Sequence, residues 1–298
     1  MPNSLPKISI VTPSYNQGQF LEATIQSVLS QNYPNLEYII IDGGSTDNSV
    51  EIIQKYTEYL HFWCSEPDAG QYAAINKGFA HSTGEIMAWL NSDDMYFPWT
   101  LKTVSSIMVE LPQVKWLTTS NPGFWDWHGF CTRIDKVHGY SRKAFEDSRH
   151  LPSGKRLIGW IQQESTFWQR GLWEKVGGFV STEFKLASDF DLWSRFYLYA
   201  DLYSTPSPLG GFRQQASQRS SQIEQYLLEA QQSLARMRTD LNWKPNLIRE
   251  LAFQLKLDKI PKIRSWSAPI YKYQGKQVVR KALNTSDSHW AVEDHQFP

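Results

Sequence analysis

Three short apolar runs, alternating with segments of helical spacing, constrain the fold of this 298-residue chain more than any other feature. The runs are residues 7–12 (KISIVT), 36–41 (LEYIII) and 85–90 (EIMAWL), and their β-branched and apolar content is typical of buried strands. Apolar residues at helical spacing lie between them, at residues 20–29 and 72–80. This alternation predicts right-handed βαβ units and therefore an α/β fold with a mostly parallel central sheet flanked by helices.

Polar residues follow each apolar run directly, at residues 14–17, 42–47 and 91–94. In an open sheet of parallel strands, ligands bind beyond the carboxyl ends of the strands. Because those ends share one edge of the sheet, we expect the three polar segments to converge on a single binding site.

Two adjacent carboxylates, Asp93 and Asp94, follow the last of these runs. Proteins hold Mg²⁺ or Mn²⁺ through one or two carboxylates together with substrate phosphates, so the pair is a candidate metal site for a nucleotide diphosphate. A surface turn capped by Asp side chains is the alternative. Asp42 likewise either accepts hydrogen bonds from a base or a ribose, or is a turn residue before Gly43 and Gly44.

A further acidic segment, residues 188–191 (SDFD), opens a stretch of helical spacing. One of its carboxylates could accept the proton of a hydroxyl substrate, which requires a base beside the reacting oxygen. Acidic residues that only stabilise the N-terminus of a helix give the same pattern. The residue pattern alone leaves both interpretations open.

Composition excludes several classes of protein. Thirty Lys and Arg balance thirty Asp and Glu, so the net charge does not favour nucleic-acid binding. Two cysteines make no disulfide framework and fit a reducing compartment. Because the sequence has no signal-peptide pattern and no uncharged apolar run of membrane-spanning length, we expect a cytoplasmic protein. The aromatic content of 14% fits either core filling or rings that stack on a sugar or a base.

The C-terminal part of the chain is basic. Between Arg236 and Lys281 there are twelve Lys and Arg and three acidic residues. Residues 223–237 have the pattern of an amphipathic helix, and residues 204–222, rich in Ser, Gln, Pro and Gly, predict a loop that leaves the preceding domain. The basic segment either contacts an anionic membrane surface or packs on the domain as a helical hairpin.

Four segments, in this order and spacing, resemble family 2 glycosyltransferases of the GT-A type. KISIVTPSYNQGQFLEATIQSVLSQNYPNLEYIIIDGGSTDNSVEII resembles their nucleotide-binding half, and DAGQYAAINKGFAHSTGEIMAWLNSDD resembles the run into their metal-binding DxD motif. QQESTFWQRGLWEKVGGF and ASDFDLWSRF resemble the acceptor side and the segment of the catalytic base. The resemblance implies a Rossmann-like GT-A domain at residues 1–215, with a nucleotide-binding half at about 6–110 and an acceptor half at about 111–215. A basic, mainly helical extension follows at residues 216–298.

The resemblance also implies an inverting enzyme that moves a sugar from a nucleotide-diphosphate sugar to a carbohydrate or lipid-linked glycan acceptor, in polysaccharide or glycolipid assembly. It would act in the cytoplasm, with peripheral contact to the inner membrane face through the basic segment. Asp189 would be the general base, with Asp191 as the alternative, and Asp93 with Asp94 would hold Mn²⁺ or Mg²⁺. The residues expected to bind the nucleotide are Pro13, Tyr15, Asn16, Asp42, Lys77, Asn91 and Ser92. Those expected to face the acceptor or donor sugar are Gln163, Glu164 and Arg213.

Three positions depart from the family pattern. Asn91 stands where many relatives have the first Asp of DxD, and Ser188 stands where they have the Glu before the base. Gln215 stands where relatives often have a His near the metal, and an amide is a poorer ligand. These changes keep a non-catalytic sugar- or nucleotide-binding module as an alternative. A nucleotidyltransferase is the other alternative, although residues 12–16 (TPSYN) lack the basic, Gly-rich phosphate loop of such enzymes.

Overall fold

A computed structural model describes residues 5–151, 157–215, 222–257, 260, 272–284 and 287–297. Its strands are β1 Ile8–Ser14, β2 Leu36–Asp42, β3 Phe62–Ser65, β4 Ile86–Trp89, β5 Met95–Tyr96, β6 Trp116–Thr119, β7 Gly123–Trp125, β8 Cys131–Ile134, β9 Phe167–Gln169, β10 Tyr203–Thr205, β11 Gly210–Arg213, β12 Tyr273–Asn284 and β13 Asp287–Phe297. Its helices are α1 Gly18–Leu29, α2 Ser49–Lys55, α3 Gln71–Ala80, α4 Thr100–Glu110, α5 Arg142–Glu146, α6 Arg170–Lys175, α7 Ser188–Tyr197, α8 Ile223–Asp240 and α9 Leu247–Gln254.

The central sheet confirms the predicted βαβ arrangement. Within the described residues its strand order is β13-β12-β10-β6-β9-β4-β1-β2-β3. β1 pairs in parallel with both β2 and β4, and β2 pairs in parallel with β3. β9 runs antiparallel between β4 and β6, so the sheet is mostly parallel with one reversed strand at its centre. The carboxyl ends of β1, β2, β3 and β4 therefore share one edge.

Both faces of β1, β2 and β4 are buried, which explains why these strands read as continuous apolar runs. Alternate residues of β2 enter different cores: Ile39 and Ile41 belong to one cluster, and Tyr38 and Ile40 to the other. Side chains of α3, α7 and α8 complete the first cluster, and those of α1, α2 and α4 complete the second. The helices thus cover the sheet from both sides.

A second, smaller sheet has the order β5-β11-β7-β8. Its strand β11 lies within residues 204–222, which the sequence predicted to be a loop, and it pairs with β5 and β7. The strand begins with Gly210 and Gly211, so it carries no apolar alternation by which it could be recognised. Glycine is needed at the first position, because a Cβ on Gly210 would lie 2.3 Å from the carbonyl oxygen of Glu164. Residues 216–221 lie outside the described part of the chain.

The C-terminal extension begins with helices α8 and α9, as expected, and then adds a hairpin that the sequence did not predict. β12 and β13 pair antiparallel, and β12 pairs in parallel with β10, so the hairpin extends the central sheet. Lys and Arg residues interrupt the apolar alternation of β12, and the pairing with β10 is a tertiary contact that local spacing does not reveal. Residues 258–259 and 261–271 of the basic segment lie outside the described residues. None of the described helices is both long and apolar enough to cross a membrane.

Candidate active site

A cleft of about 1100 Å³ lies beyond the carboxyl ends of β1 and β4. The structure brings together there nine residues that the sequence singled out from both halves of the chain. They are Pro13, Tyr15, Asn91, Ser92, Asp93, Gln163, Glu164, Asp189 and Gln215. The other singled-out residues do not line this cleft: Asn16, Asp42, Lys77, Asp94, Asp191 and Arg213.

Asp42 is fully buried, and its carboxylate is engaged within its own loop. Oδ2 accepts hydrogen bonds from the backbone N–H groups of Gly44 and Ser45, at 3.1 and 2.9 Å, and from Oγ of Ser65 at 2.7 Å. Oδ1 accepts a hydrogen bond from Oγ of Ser45 at 2.6 Å. The geometry therefore favours the turn interpretation of Asp42 over a direct contact with a base or a ribose.

Asn16 and Lys77 bond to residues outside the cleft. Oδ1 of Asn16 accepts a hydrogen bond from the backbone N–H of Thr46 at 2.8 Å, which ties the loop after β1 to the loop after β2. Asn16 has a φ of 51°, a left-handed conformation that Asn tolerates better than most residues. The ammonium group of Lys77 forms an ion pair with Glu66. Neither side chain lines the cleft, so the contact of each with a nucleotide stays a prediction.

Sequence analysis missed several residues that line the cleft, among them Asp68, Gln71 and Tyr72. All three follow β3 within a short distance, at the same edge of the sheet as the other polar segments. Oδ1 of Asp68 accepts a hydrogen bond from the backbone N–H of Gly70 at 2.7 Å, which leaves the second carboxylate oxygen for other contacts. The end of β3 was the signal that could have located them, since ligands bind beyond strand ends in such sheets.

The acidic turn after β4 directs its two carboxylates to different places. Asp93 lines the cleft, whereas Asp94 is buried behind it. Oδ1 of Asp94 accepts a hydrogen bond from the backbone N–H of Arg213 at 2.9 Å, and Oδ2 accepts one from Nδ2 of Asn91 at 3.2 Å. Burial raises the pKa of both carboxyl groups, and the neighbouring Asp93 raises the pKa of Asp94 further. Asp93 is therefore the carboxylate that a ligand can reach.

Arg213 supports the acidic turn from within the protein. Its side chain is almost fully buried, and Nε donates a hydrogen bond to the backbone oxygen of Asp93 at 2.6 Å. The predicted contact of Arg213 with a sugar does not fit this burial. Gln215, two residues further on, does reach the cleft, and its Nε2 donates a hydrogen bond to Oδ2 of Asp93 at 2.6 Å.

Gln163 and Glu164 lie in one turn of 3-10 helix, Gln163–Ser165. Nε2 of Gln163 donates a hydrogen bond to the backbone oxygen of Trp89 at 2.6 Å, which fixes this turn to the end of β4. Glu164 is 4% exposed, and burial raises its pKa to about 8. The negative charges of Asp93 and Asp189 raise the pKa of Glu164 as well, and all three carboxyl groups line the same cleft.

Asp189 and Asp191, both in the first turn of α7, point to different sides of the helix. Residues two apart on a helix project about 200° apart. Asp189 lines the cleft, and burial raises its pKa to about 7. Asp191 faces the interior: Oδ2 accepts a hydrogen bond from Nε of Arg195 at 3.0 Å, and Oδ1 accepts one from Oγ of Ser233 at 3.1 Å. Asp189 is the carboxylate of this segment that can meet a substrate.

The donor set of the cleft suits a cation that is held jointly by protein and substrate. Asp93 presents one carboxylate to the cleft, with the amide of Gln215 beside it. Among the described residues, no group of three or more His, Cys, Asp or Glu side chains is placed to hold a metal ion. One carboxylate combined with substrate phosphates and water is a common binding mode for Mg²⁺. Asp93 fits that mode. The described residues do not form a metal site from protein side chains alone.

Comparison with known protein families gives a consistent result. The family model described as "Glycosyl transferase family 2" matches residues 9–148. An uncharacterized glycosyltransferase from Mycobacterium tuberculosis is 31% identical over 208 residues, which are 68% of this chain and 72% of that protein. A putative teichuronic acid biosynthesis glycosyltransferase from Bacillus subtilis, TuaG, is 37% identical over 113 residues, which are 37% of this chain and 45% of that protein.

Solved structures with the same fold include two that hold a bound nucleotide sugar. S. aureus TarS 1-349 in complex with UDP-GlcNAc has a TM-score of 0.61 and 17% identity, over 78% of this chain and 66% of that chain. A mannosyltransferase from Pyrobaculum calidifontis in complex with GDP-Man and Mn²⁺ has a TM-score of 0.52 and 16% identity, over 90% and 85%. At these identities the similarity concerns the fold.

Proposed function

The chain belongs to glycosyl transferase family 2 and has a GT-A fold, and we propose that it transfers a sugar from a nucleotide-diphosphate sugar to a hydroxyl acceptor, with inversion at the anomeric carbon. The bound UDP-GlcNAc of TarS and the bound GDP-Man of the mannosyltransferase support a donor of this class.

One observation carries the proposal: Asp93 and Asp189 line the same cleft, while their neighbours Asp94 and Asp191 are engaged inside the protein. Asp93 lies at the carboxyl end of the parallel strands, where a nucleotide is expected. Asp189 comes from α7, in the acceptor half. A donor diphosphate near Asp93 and an acceptor hydroxyl near Asp189 would therefore meet within one cleft.

In the proposed reaction the acceptor oxygen attacks the anomeric carbon, and the bond from that carbon to the nucleotide diphosphate breaks. The carboxylate of Asp189 takes the proton of the acceptor hydroxyl as the new glycosidic bond forms. The nucleoside diphosphate leaves with the bonding electron pair, and a single displacement inverts the anomeric configuration. A base with a pKa of about 7 suits this step, because proton transfer is most effective when the pKa lies near the working pH.

The leaving diphosphate accumulates negative charge, and that charge needs a partner in the cleft. Asp93, with the amide of Gln215 beside it, would hold a Mn²⁺ or Mg²⁺ ion there. When bound, such an ion neutralises phosphate charge and stabilises the leaving group. Arg213 and Asn91 would keep the acidic turn in place through their hydrogen bonds to it.

The decisive experiment is a screen of UDP-, GDP-, dTDP- and CDP-sugars for donor hydrolysis and transfer, with and without Mn²⁺. We expect at least one donor to be turned over in a metal-dependent manner and its product to have the inverted anomeric configuration by NMR. Tight binding of a nucleotide sugar without any turnover would instead favour the non-catalytic binding module.

We also propose a place for this enzyme in polysaccharide or glycolipid assembly, which the similarity to TuaG supports. The catalytic unit would comprise residues 1–215, with nucleotide-binding and acceptor halves that meet near residue 110. The extension at residues 216–298 would add contacts on the acceptor side. The basic residues of this extension would bring the enzyme to an anionic membrane surface.

A further inference from the structure

The C-terminal helix α8 contributes directly to the cleft, although it lies beyond the residues that match the family model. Ile223 and Tyr226, in its first turns, line the cleft together with Trp160. The ring centroids of Trp160 and Tyr226 are 5.9 Å apart, with the planes at 63°. Trp160 is 37% exposed, so much of its ring is open to a ligand. We refer to Trp160 and Tyr226 as the aromatic corner.

Tyr226, of the aromatic corner, and Asp189 line the same cleft. Burial raises the pKa of the Tyr226 hydroxyl, and the negative charge of Asp189 raises it further. Glu229, one turn along α8, accepts hydrogen bonds from the backbone N–H groups of Leu186 and Ala187 at 2.7 and 3.0 Å. These two residues immediately precede α7, so the hydrogen bonds fix α8 to the start of α7. A molecule on the aromatic corner would therefore lie near the proposed base.

The same wall of the cleft carries side-chain oxygens that lack hydrogen-bond donors. Within the described part of the chain, Oε1 of Gln162 and Oε1 of Gln163 are buried and accept no hydrogen bond. The amide of Gln163 is oriented by its nitrogen, which donates to the backbone oxygen of Trp89. Oε1 of Glu164 is also buried without a partner. Buried polar atoms are normally paired in folded proteins, so these atoms indicate a ligand that supplies donors.

Few classes of ligand can both pack on aromatic rings and donate hydrogen bonds to amide oxygens. A carboxylate or a phosphodiester has no O–H group at neutral pH to donate to amide oxygens, and an acyl chain offers no donor at all. A sugar ring has C–H faces that pack on aromatic rings and a rim of hydroxyl groups that donate to amide and carboxyl oxygens. The combination of the aromatic corner with the amide oxygens of Gln162 and Gln163 therefore matches a sugar.

We propose that Trp160 and Tyr226 form the subsite for the acceptor glycan, whose terminal sugar ring packs on these two rings while its hydroxyls donate to Gln162 and Gln163. This inference rests on the proposed transferase function and adds to it the residues that hold the acceptor sugar. It also gives α8, which has no counterpart in the matched family segment, a direct part in substrate binding.

The test uses the full-length chain and a nucleotide sugar that it hydrolyses in the donor screen. The acceptor probes are p-nitrophenyl glycosides of glucose, galactose, mannose and N-acetylglucosamine. The non-sugar probe is 2-(4-nitrophenoxy)ethanol, which keeps the aromatic group and a primary hydroxyl. We expect transfer to at least one glycoside and much slower transfer to the non-sugar alcohol. Trp160→Ala and Tyr226→Ala should each raise KM for that glycoside about tenfold, with a smaller change in the Kd of the donor.

Leu228→Ala is the matched control, because Leu228 lies on the same helix and is 62% exposed. It should keep the KM of the unmodified chain. Trp160→Phe keeps an aromatic ring and should lose less than Trp160→Ala, which separates ring contact from loss of folding. Equal use of the non-sugar alcohol, no use of any glycoside by a chain that hydrolyses its donor, or an unchanged KM in both alanine variants would overturn the acceptor subsite alone. Failure of the unmodified chain to turn over any nucleotide sugar would contradict the transferase function itself.

Discussion

Nε2 of Gln215 lies 2.6 Å from Oδ2 of Asp93 and donates a hydrogen bond to it, which joins the segment after β11 to the acidic turn after β4. This hydrogen bond favours the ionised form of Asp93 and opposes the effect of burial on its pKa. Gln215 was expected to be a poor metal ligand. Its observed contact gives it a second role, since it favours the charged form of the carboxylate that would hold the proposed cation.

The first prediction concerns metal binding. Asp93→Asn removes the only carboxylate of the acidic turn that lines the cleft, so it should abolish the Mn²⁺-dependent rise in melting temperature caused by UDP or GDP. Asp94→Asn is the matched control and should keep the metal response while lowering stability, because Asp94 bonds to the backbone of Arg213. Thermal shift with and without Mn²⁺ measures both variants. A normal metal response in Asp93→Asn would move the site elsewhere.

A second prediction separates the two carboxylates of α7. Asp189→Asn should lower the transfer rate by ~10²–10⁴-fold, the usual contribution of a positioned base, while the Kd of the donor changes little. Asp191→Asn should leave most of the transfer rate and instead lower the free energy of unfolding by about 1–3 kcal/mol, because it weakens the ion pair with Arg195. Steady-state kinetics and urea denaturation distinguish these outcomes. Loss of transfer in Asp191→Asn alone would reverse the assignment.

The pH dependence of the reaction follows from the raised pKa of Asp189. The base acts in its deprotonated form, so kcat/KM should fall by about tenfold per pH unit below pH 7. With an aspartate of ordinary pKa as the base, kcat/KM would stay unchanged from pH 7 down to about pH 4. The profile should be measured from pH 5 to 9 with the donor found in the screen. The residual kcat/KM of Asp189→Asn should not fall in this way below pH 7. An unchanged fall in that variant would show that another group causes it.

A further prediction concerns the contact between α8 and α7. Glu229→Ala leaves the N–H groups of Leu186 and Ala187 without their acceptor, so it should lower the free energy of unfolding by about 1–3 kcal/mol. It should also reduce transfer, because the start of α7 carries Asp189. Glu229→Gln keeps an acceptor oxygen and should lose less. Glu224→Ala, an exposed change in the first turn of the same helix, is the control and should remain close to the unmodified chain in both measurements.

The last prediction tests membrane contact. The side chains of Leu247, Ile248, Leu251 and Leu255 are each more than half exposed, and they lie in or next to α9 within the basic part of the chain. Helices that combine an apolar row with nearby cations bind anionic lipid surfaces. Changing all four residues to Ser should reduce sedimentation with phosphatidylglycerol vesicles and leave transfer to a water-soluble acceptor unchanged. Equal sedimentation of both proteins would indicate that α9 has no role at a membrane.

Local sequence patterns were enough to predict the central fold and the edge of the sheet at which the cleft lies. Helix and strand spacing are local properties, so the runs at residues 7–12, 36–41 and 85–90 predicted β1, β2 and β4 to within two residues at each end. The hairpin of β12 and β13 was missed, because Lys and Arg interrupt the apolar alternation of β12 and because its pairing with β10 joins distant parts of the chain.

Which carboxylates can reach a ligand depends on contacts between distant parts of the chain. Adjacent acids have the same local pattern, so the sequence could not separate Asp93 from Asp94. The backbone N–H of Arg213, far along the chain, bonds to Asp94 and leaves Asp93 facing the cleft. Burial and long-range hydrogen bonds depend on which segments the fold brings together. Those contacts decide whether a carboxylate meets substrate or stabilises the protein.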